Sequence, residues 1–308
     1  MSEYEPTDFE GIREMIGPSV DISKAGAETE IEEINRLAFE LYKESSILLT
    51  IVGNIVESSD DEVVGVPRNQ AICVGLVIHI SKLMLGVVQL ASAGNRSEII
   101  QTLNRCIMES AVNLTFLVMM NEDEHYDRFV AYSFGPEREL YELINANILK
   151  NGGSIKPIET RMLRSIAEKC TISGVNIDEV PIKHREWATN MRERLKAIGR
   201  ADLYTGYRIL SHSIHGTWME LLANDLDQDS KTGLFKPHPD LANVDARILI
   251  PIARLVLDAA SLYIKQFFTT IPAARFVVTR IETQIVRLTE VDAAHERIYS
   301  ARHEKAAV

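Results

Sequence analysis

The stretch YRILSHSIHGTW, residues 207–218, gathers side chains able to move a proton or hold an anion. It carries two of the chain's eight histidines, His212 and His215, with Arg208, Ser211 and Trp218. An imidazole titrates near neutrality and can pass a proton. A guanidinium offers a fixed fork of donors to an anion. A serine hydroxyl can donate to a phosphate oxygen or orient the imidazole. Arg208, Ser211 and His215 together therefore suit chemistry on a phosphate ester. His215 would be the general acid/base, Arg208 would stabilise charge on the phosphate, and Ser211 would position.

The three share a helix face. Tyr204, Arg208, Ser211, His215, Trp218 and Leu222 recur at spacings of three and four, which on a helix form one stripe. Two turns, roughly 10 Å along the axis, separate Arg208 from His215. A neighbouring stripe, Leu203, Tyr207, Leu210, Ile214 and Leu221, is predicted to face a core. His212 lies to one side. The competing reading is a polar seam between two helices, with histidine bonded to a backbone carbonyl.

A second feature is Arg105 and Glu109, four apart in NRCIMESAVNLTFLVMM, which is apolar nearly all round. Such a pair is an internal ion pair, or it is part of the site. In the second case Glu109 accepts from His215 or Arg208 and fixes the tautomer and orientation. Residues 183–200, KHREWATNMRERLKAIGR, hold six Lys/Arg against two Glu. The ordinary reading is a solvated helix face. The functional one makes Arg192, Arg194, Lys196 and Arg200 a guide for RNA. Glu109, His212 and His215 could instead hold a metal, but the Glu-x-x-His pairs usual in helical bundles are absent. The expectation is therefore no metal and no cofactor.

Two elements together resemble a bacterial family of helical proteins of unknown function. They are R-x3-E (Arg105, Glu109) and Y-x3-S-x3-H-G-x-W (Tyr207, Ser211, His215, Gly216, Trp218). The resemblance covers residues 70–225 and brings no activity with it. A more distant likeness is to the HEPN superfamily, whose ribonucleases carry an Arg, four to six residues, then a His. Arg208 and His215 are separated by six. That likeness implies a homodimer that brings two motifs together and cleaves RNA without metal through its 2′-hydroxyl, leaving a 2′,3′-cyclic phosphate. It also implies a role as a toxin or in defence against phage, with a protein partner or antitoxin. This chain departs from the pattern in having Ile209 after the arginine, where a polar residue is usual. About ninety residues also follow His215. The alternative from a different class is a non-enzymatic helical module that binds a nucleotide or protein through the same stripe.

These side chains need a scaffold, and the pattern predicts an all-α multi-helix bundle. Apolar residues recur at three and four almost throughout the 308 residues, and strand-like alternation is scarce. Helices are predicted over 28–58, 68–93, 96–121, 123–150, 157–171, 184–199, 201–224, 242–270 and 272–303, the 201–224 helix crossing the core. The polar stretch DLDQDSKTGLFKPHPD is long for a bundle connection and reads as a mobile flap. Residues 1–27 read as an acidic, loosely ordered segment, and 28–308 as one domain whose motif-bearing core is about 70–225. AICVGLVIHISKLMLGVVQLA is interrupted by His79 and Lys82 and reads as a core helix, not a membrane span. Three scattered cysteines and an N-terminus without an apolar h-region point to a cytoplasmic protein. A net charge of −11 argues against nucleic-acid binding over the whole surface, though not at one basic site.

Overall fold

The computed structural model describes residues 10–55, 58–59, 62–63, 65–94, 96–181 and 187–306. Twelve α-helices carry the fold among them. In order they are α1 (Glu10–Ile16), α2 (Ile31–Gly53), α3 (Arg68–Ser92), α4 (Ser97–Met120), α5 (Asp123–Ser133), α6 (Gly135–Lys150), α7 (Pro157–Ser173), α8 (Met191–Ala197), α9 (Tyr204–His215), α10 (Trp218–Asn224), α11 (Ala246–Phe267) and α12 (Pro272–Ala306). Two short antiparallel ribbons complete it, β1 (Ser58–Ser59) with β2 (Glu62–Val63), and β3 (Leu226–Gln228) with β4 (Phe235–Pro237). The chain is all-α, as its periodicity requires.

Helices α2, α3, α4, α11 and α12 form the bundle, with α11 packed against α2, α4 and α12. The sequence of α11 explains its central place. Leu249, Ile250, Ala253, Val256, Leu257, Ala260, Tyr263 and Ile264 are buried, covering most of its circumference. Its first turn is closed by Asp245, whose carboxylate accepts from the Arg247 amide at 2.8 Å. Pro272 opens α12, where a missing N–H is one of the unpaired first-turn donors anyway. Within the acidic N-terminal segment, residues 17–28 run along α12. Arg280 donates to Ser19 at 3.0 Å, Arg297 to the Ala25 carbonyl at 3.2 Å, and Arg287 pairs with Glu44 beneath Val20.

Helix α3 is long and apolar enough to cross a membrane, and a third of its most apolar window is buried. It packs in the bundle through Cys73, Val77, Ile80, Met84 and Val87, against α2 and α4. His79 and Lys82 are on its exposed side.

Four expectations need correction. The helix predicted over 123–150 is two, broken at Phe134 before Gly135 and Pro136. The helix predicted over 184–199 spans only Met191–Ala197 among the described residues, and residues 184–186 lie outside them. The helix predicted over 201–224 does not cross the core. A single 3₁₀ turn, Ala201–Leu203, leads into α9, and Gly216 ends α9 at φ 53°, a left-handed cap that glycine adopts without a Cβ clash. Neither α9 nor α10 holds a fully buried residue, and α9 lies on the outside of α4. The stretch read as a flap contains the β3–β4 ribbon.

Candidate functional site

Helices α4 and α9 meet through two pairs of residues, each one turn apart. Arg105 and Glu109 come from α4; Tyr207 and Ser211 come from α9. The Arg105 Nε donates to Ser211 Oγ at 3.1 Å. Its guanidinium lies over the Tyr207 ring, 3.4 Å from the centroid, and its Nη1 pairs with Glu109 Oε1. The Tyr207 hydroxyl donates to that same oxygen at 3.0 Å. Ser211 in turn donates to the Tyr207 carbonyl at 3.0 Å. Arg105 is thus held on its face, its edge and its end.

The two charges are not equally covered. The Arg105 side chain is 11% exposed and that of Glu109 44%. Water therefore screens the ion pair, and its share of stability is small. The stacked ring contributes more, since a desolvated cation over an aromatic face is worth about 2 kcal/mol. Burial, and then the Glu109 carboxylate beside it, raise the Tyr207 phenol above its ordinary pKa; Arg105 opposes this. Tyr207 is consequently a hydrogen-bond donor at neutral pH.

One turn beyond Glu109 on α4 lies Asn113. Its side-chain oxygen accepts from Arg194 of α8, a buried arginine whose guanidinium sits 5.3 Å from the Trp187 ring centroid. Trp187 is fixed edge-on against Phe116 and Phe129, with centroids at 5.6 and 5.1 Å. Between these parts is a cavity of about 240 Å³, with Glu109, Asn113, Arg194 and Tyr207 as its polar walls and Trp187, Met191 and Tyr132 as its apolar ones. Here a half-exposed carboxylate, an amide and a guanidinium converge. The arrangement can accept from an N–H donor and donate to a carbonyl or an anion.

A family model described as a family of unknown function (DUF5677) matches residues 70–233. The chain belongs to this family. Every wall of the cavity lies inside the DUF5677 match, which agrees closely with the 70–225 read from the motifs. No curated protein and no solved structure matches the chain.

Within the DUF5677 region the predicted residues divide into two groups. Arg105, Glu109, Tyr207 and Ser211 come together. Arg208 and His215 do not join them: both are exposed. The side of α9 that meets the bundle carries Tyr204, Tyr207 and Leu210, with Leu203 just before the helix. At about 100° per residue Arg208 and His215 lie roughly a quarter of a turn from Tyr207, and Ile214, expected to face the core, is exposed. Glu109 is engaged by Arg105 and Tyr207 instead of by His215 or Arg208. His212 meets Thr217 at 2.8 Å through Nδ1, across the α9–α10 corner. Trp218 is exposed, with its ring against Phe235.

Of the four basic residues expected to guide RNA, Arg194 faces inward and serves the cavity. Arg192 lies over Tyr204, Lys196 pairs with Glu193 at 2.9 Å, and Arg200 reaches Asp202 and Asp258 at 3.3 and 3.5 Å. Among the described residues no group of three or more His, Cys, Asp or Glu is placed to hold a metal, so Glu109, His212 and His215 do not form one. Asn113 was legible as the next step of a four-residue row, Arg105–Glu109–Asn113. Trp187, Met191 and Tyr132 carry no such signal, because only tertiary packing brings them to α4.

Proposed function

We propose that the protein is a helical binding module whose ligand is a nucleobase-sized, planar, N–H-bearing molecule seated between α4, α8 and α9. One observation carries the reading: the Glu109 carboxylate, the Asn113 amide and the Arg194 guanidinium share one 240 Å³ cavity. That volume is below the roughly 300–1,000 Å³ of pockets for drug-sized ligands, so it suits a single base or nucleoside. Glu109 keeps acceptor capacity beyond its two partners, since a carboxylate has about four lone-pair sites. It would accept from the N–H edge of the base while Asn113 pairs with a neighbouring carbonyl. Tyr132, at 42% exposure, offers the ring an aromatic surface.

The chain has two tryptophans, and Trp187 is the one on the cavity wall. In a Trp218→Phe background, titration with guanosine, adenosine, cytidine and uridine is expected to give a saturable change in emission with one of them. Glu109→Gln should weaken that binding about 10- to 100-fold, the worth of a charge-assisted hydrogen bond. No saturable change, and no heat of binding by calorimetry up to millimolar nucleoside, would overturn the reading.

A second reading is favoured by a different observation: Arg208 and His215 are both exposed on the outward side of α9, where a polymer phosphate can reach them. This is the metal-independent ribonuclease of HEPN type. Incubating the wild type and His215→Ala with total RNA, with and without EDTA, separates the two. Cleavage that survives EDTA and disappears in the variant supports the enzyme.

A further inference from the structure

Residues 134–180 stand apart from the bundle in one respect: they have their own small core. Phe134, Ile166, Cys170 and Val180 are buried together, with Val130, Leu140, Tyr141, Val175 and Ile177 packed around them. Helices α6 and α7 form an antiparallel hairpin over it, turned by Gly152 and Gly153, both at positive φ. Arg138 ties the return of the chain to α6, donating to the Ile177 carbonyl at 2.7 Å and to Asp178 at 2.6 Å.

The outer side of this hairpin exposes several large apolar side chains among charged ones. On α7, Ile158, Met162, Ser165, Lys169 and Ile172 form one stripe at spacings of three and four. Ile172 is 86% exposed, and Leu149, at the end of α6, is 80% exposed; Leu143, Ile158 and Met162 are exposed as well. Two grooves of about 280 and 210 Å³ run along the seam between the helices and meet at the Glu137–Lys169 pair. A two-helix layer that leaves these apolar side chains uncovered lacks the second layer that a helical packing requires.

We propose that a second copy of this chain supplies that layer, the two hairpins closing a four-helix arrangement about a two-fold axis. Charge favours this occupant. The chain carries −11 overall, so two copies repel unless a basic edge meets an acidic one. The hairpin has both. Glu139 and Glu142 are exposed on α6, Glu142 also pairing with Arg138, and on α7 the exposed Arg161 and Arg164 share their edge with a single carboxylate, Glu168. A two-fold axis sets α6 of each copy against α7 of the other, joining acidic edge to basic edge twice. Size agrees. Helices of this length are roughly 25 Å long and pack 8–10 Å apart. Two such faces bury about 1,000 Å² in total, near the lower bound of a specific interface. Interfaces of this small size belong to the weak, transient class, and a Kd in the micromolar range is expected.

Sedimentation equilibrium of the full chain tests this. The wild type should dimerise reversibly at micromolar concentration. Leu143→Glu with Ile172→Glu should raise the dissociation constant at least tenfold. Ile172→Ser, a milder change at a solvent-facing position, should raise it in the same direction. Arg161→Glu/Arg164→Glu and Glu139→Arg should each weaken self-association, and an equimolar mixture of these two variants should recover a heterodimer, because the edges are then complementary again. Circular dichroism confirms that each variant is folded. A wild type that stays monomeric, a dimer unmoved by the hairpin changes, or failure of the charge-swapped mixture to associate would each overturn the proposal. Ile209→Glu/Ile214→Glu on α9 should leave the dimer intact; if that change abolishes it, the interface lies on α9.

Discussion

Arg105 makes three different contacts with one guanidinium, and two substitutions take them apart. Tyr207→Phe removes only the hydroxyl bond to Glu109 and leaves the ring under the cation, so it should cost about 1 kcal/mol. Arg105→Ala removes the stacked cation, the bond to Ser211 and the ion pair, and leaves Glu109 and Tyr207 without their shared partner. A loss of about 2–3 kcal/mol is expected in urea unfolding, most of it from the desolvated stack, since Glu109 is half exposed. Equal costs for the two variants would mean that the ring contact is worth well under the value expected of a desolvated stack. The R-x3-E and Y-x3-S spacings made these four residues legible, because a spacing of four fixes a common helix face before any packing is known. The phase of α9 was harder to read. Tyr207 and Arg208 begin two adjacent stripes, and periodicity of three and four describes both. Neither stripe is wholly inside: Tyr204, Tyr207 and Leu210 pack on the bundle and Ser211 reaches Arg105, while Arg208, Ile214 and His215 are exposed, and only these tertiary contacts show where the boundary runs. Arg194 was read from a basic run as a surface charge. Its burial depends on Asn113 and Trp187, distant in the sequence, and local charge cannot anticipate that.

The bends between helices follow backbone rules more than side-chain pattern. Phe134-Gly135-Pro136 splits α5 from α6, because Pro136 has no N–H to continue the hydrogen-bond ladder of α5 and suits a first helical turn. The periodic apolar residues run through that break, and for this reason they suggested one helix. Gly216 does the same between α9 and α10, with φ 53° and no atom within 4 Å of a Cβ placed there. Gly216→Ala therefore meets no steric clash, and its whole cost is conformational, about 1–2 kcal/mol in urea unfolding. Gly216→Asn should cost less, because asparagine tolerates the left-handed region. A further expectation concerns the ribbon after α10. His238 meets Asp227 at 3.0 Å, and that bond, with the Asp227 charge, raises its pKa above the ordinary value of 6.5. The proton is bound more tightly in the folded ribbon. This tether is fully present below 6.5 and is lost as pH rises through the raised value. The His238 ring resonances should titrate above 6.5 by NMR, and Asp227→Asn should bring them back toward it. A His238 that titrates at or below 6.5 in the wild type would show that the pair does not form in solution.

At the scale of the whole molecule, the described residues form one large core and one small one, and these should melt differently. The large core joins α2, α3, α4, α11 and α12, so a cavity there is felt by every helix of the bundle. Leu114→Ala, at a fully buried position of α4, should cost about 2–5 kcal/mol of global stability. The small core is four buried residues under α6 and α7. So little apolar surface cannot match the protection of the bundle, and the hairpin should open on its own. Hydrogen exchange followed by mass spectrometry should show amides of 135–173 exchanging well before those of α4 and α11. Ile166→Ala should speed exchange in the hairpin and leave the exchange of α11 unchanged. The experiment also reports on pairing between copies. Anything that binds only the closed hairpin stabilises it by mass action. Raising the protein concentration through the micromolar range should therefore slow exchange in α6 and α7 while leaving α2, α4 and α11 unaffected. Uniform slowing across the chain would instead mean that hairpin and bundle unfold as one unit, and that the two cores are coupled despite being separate.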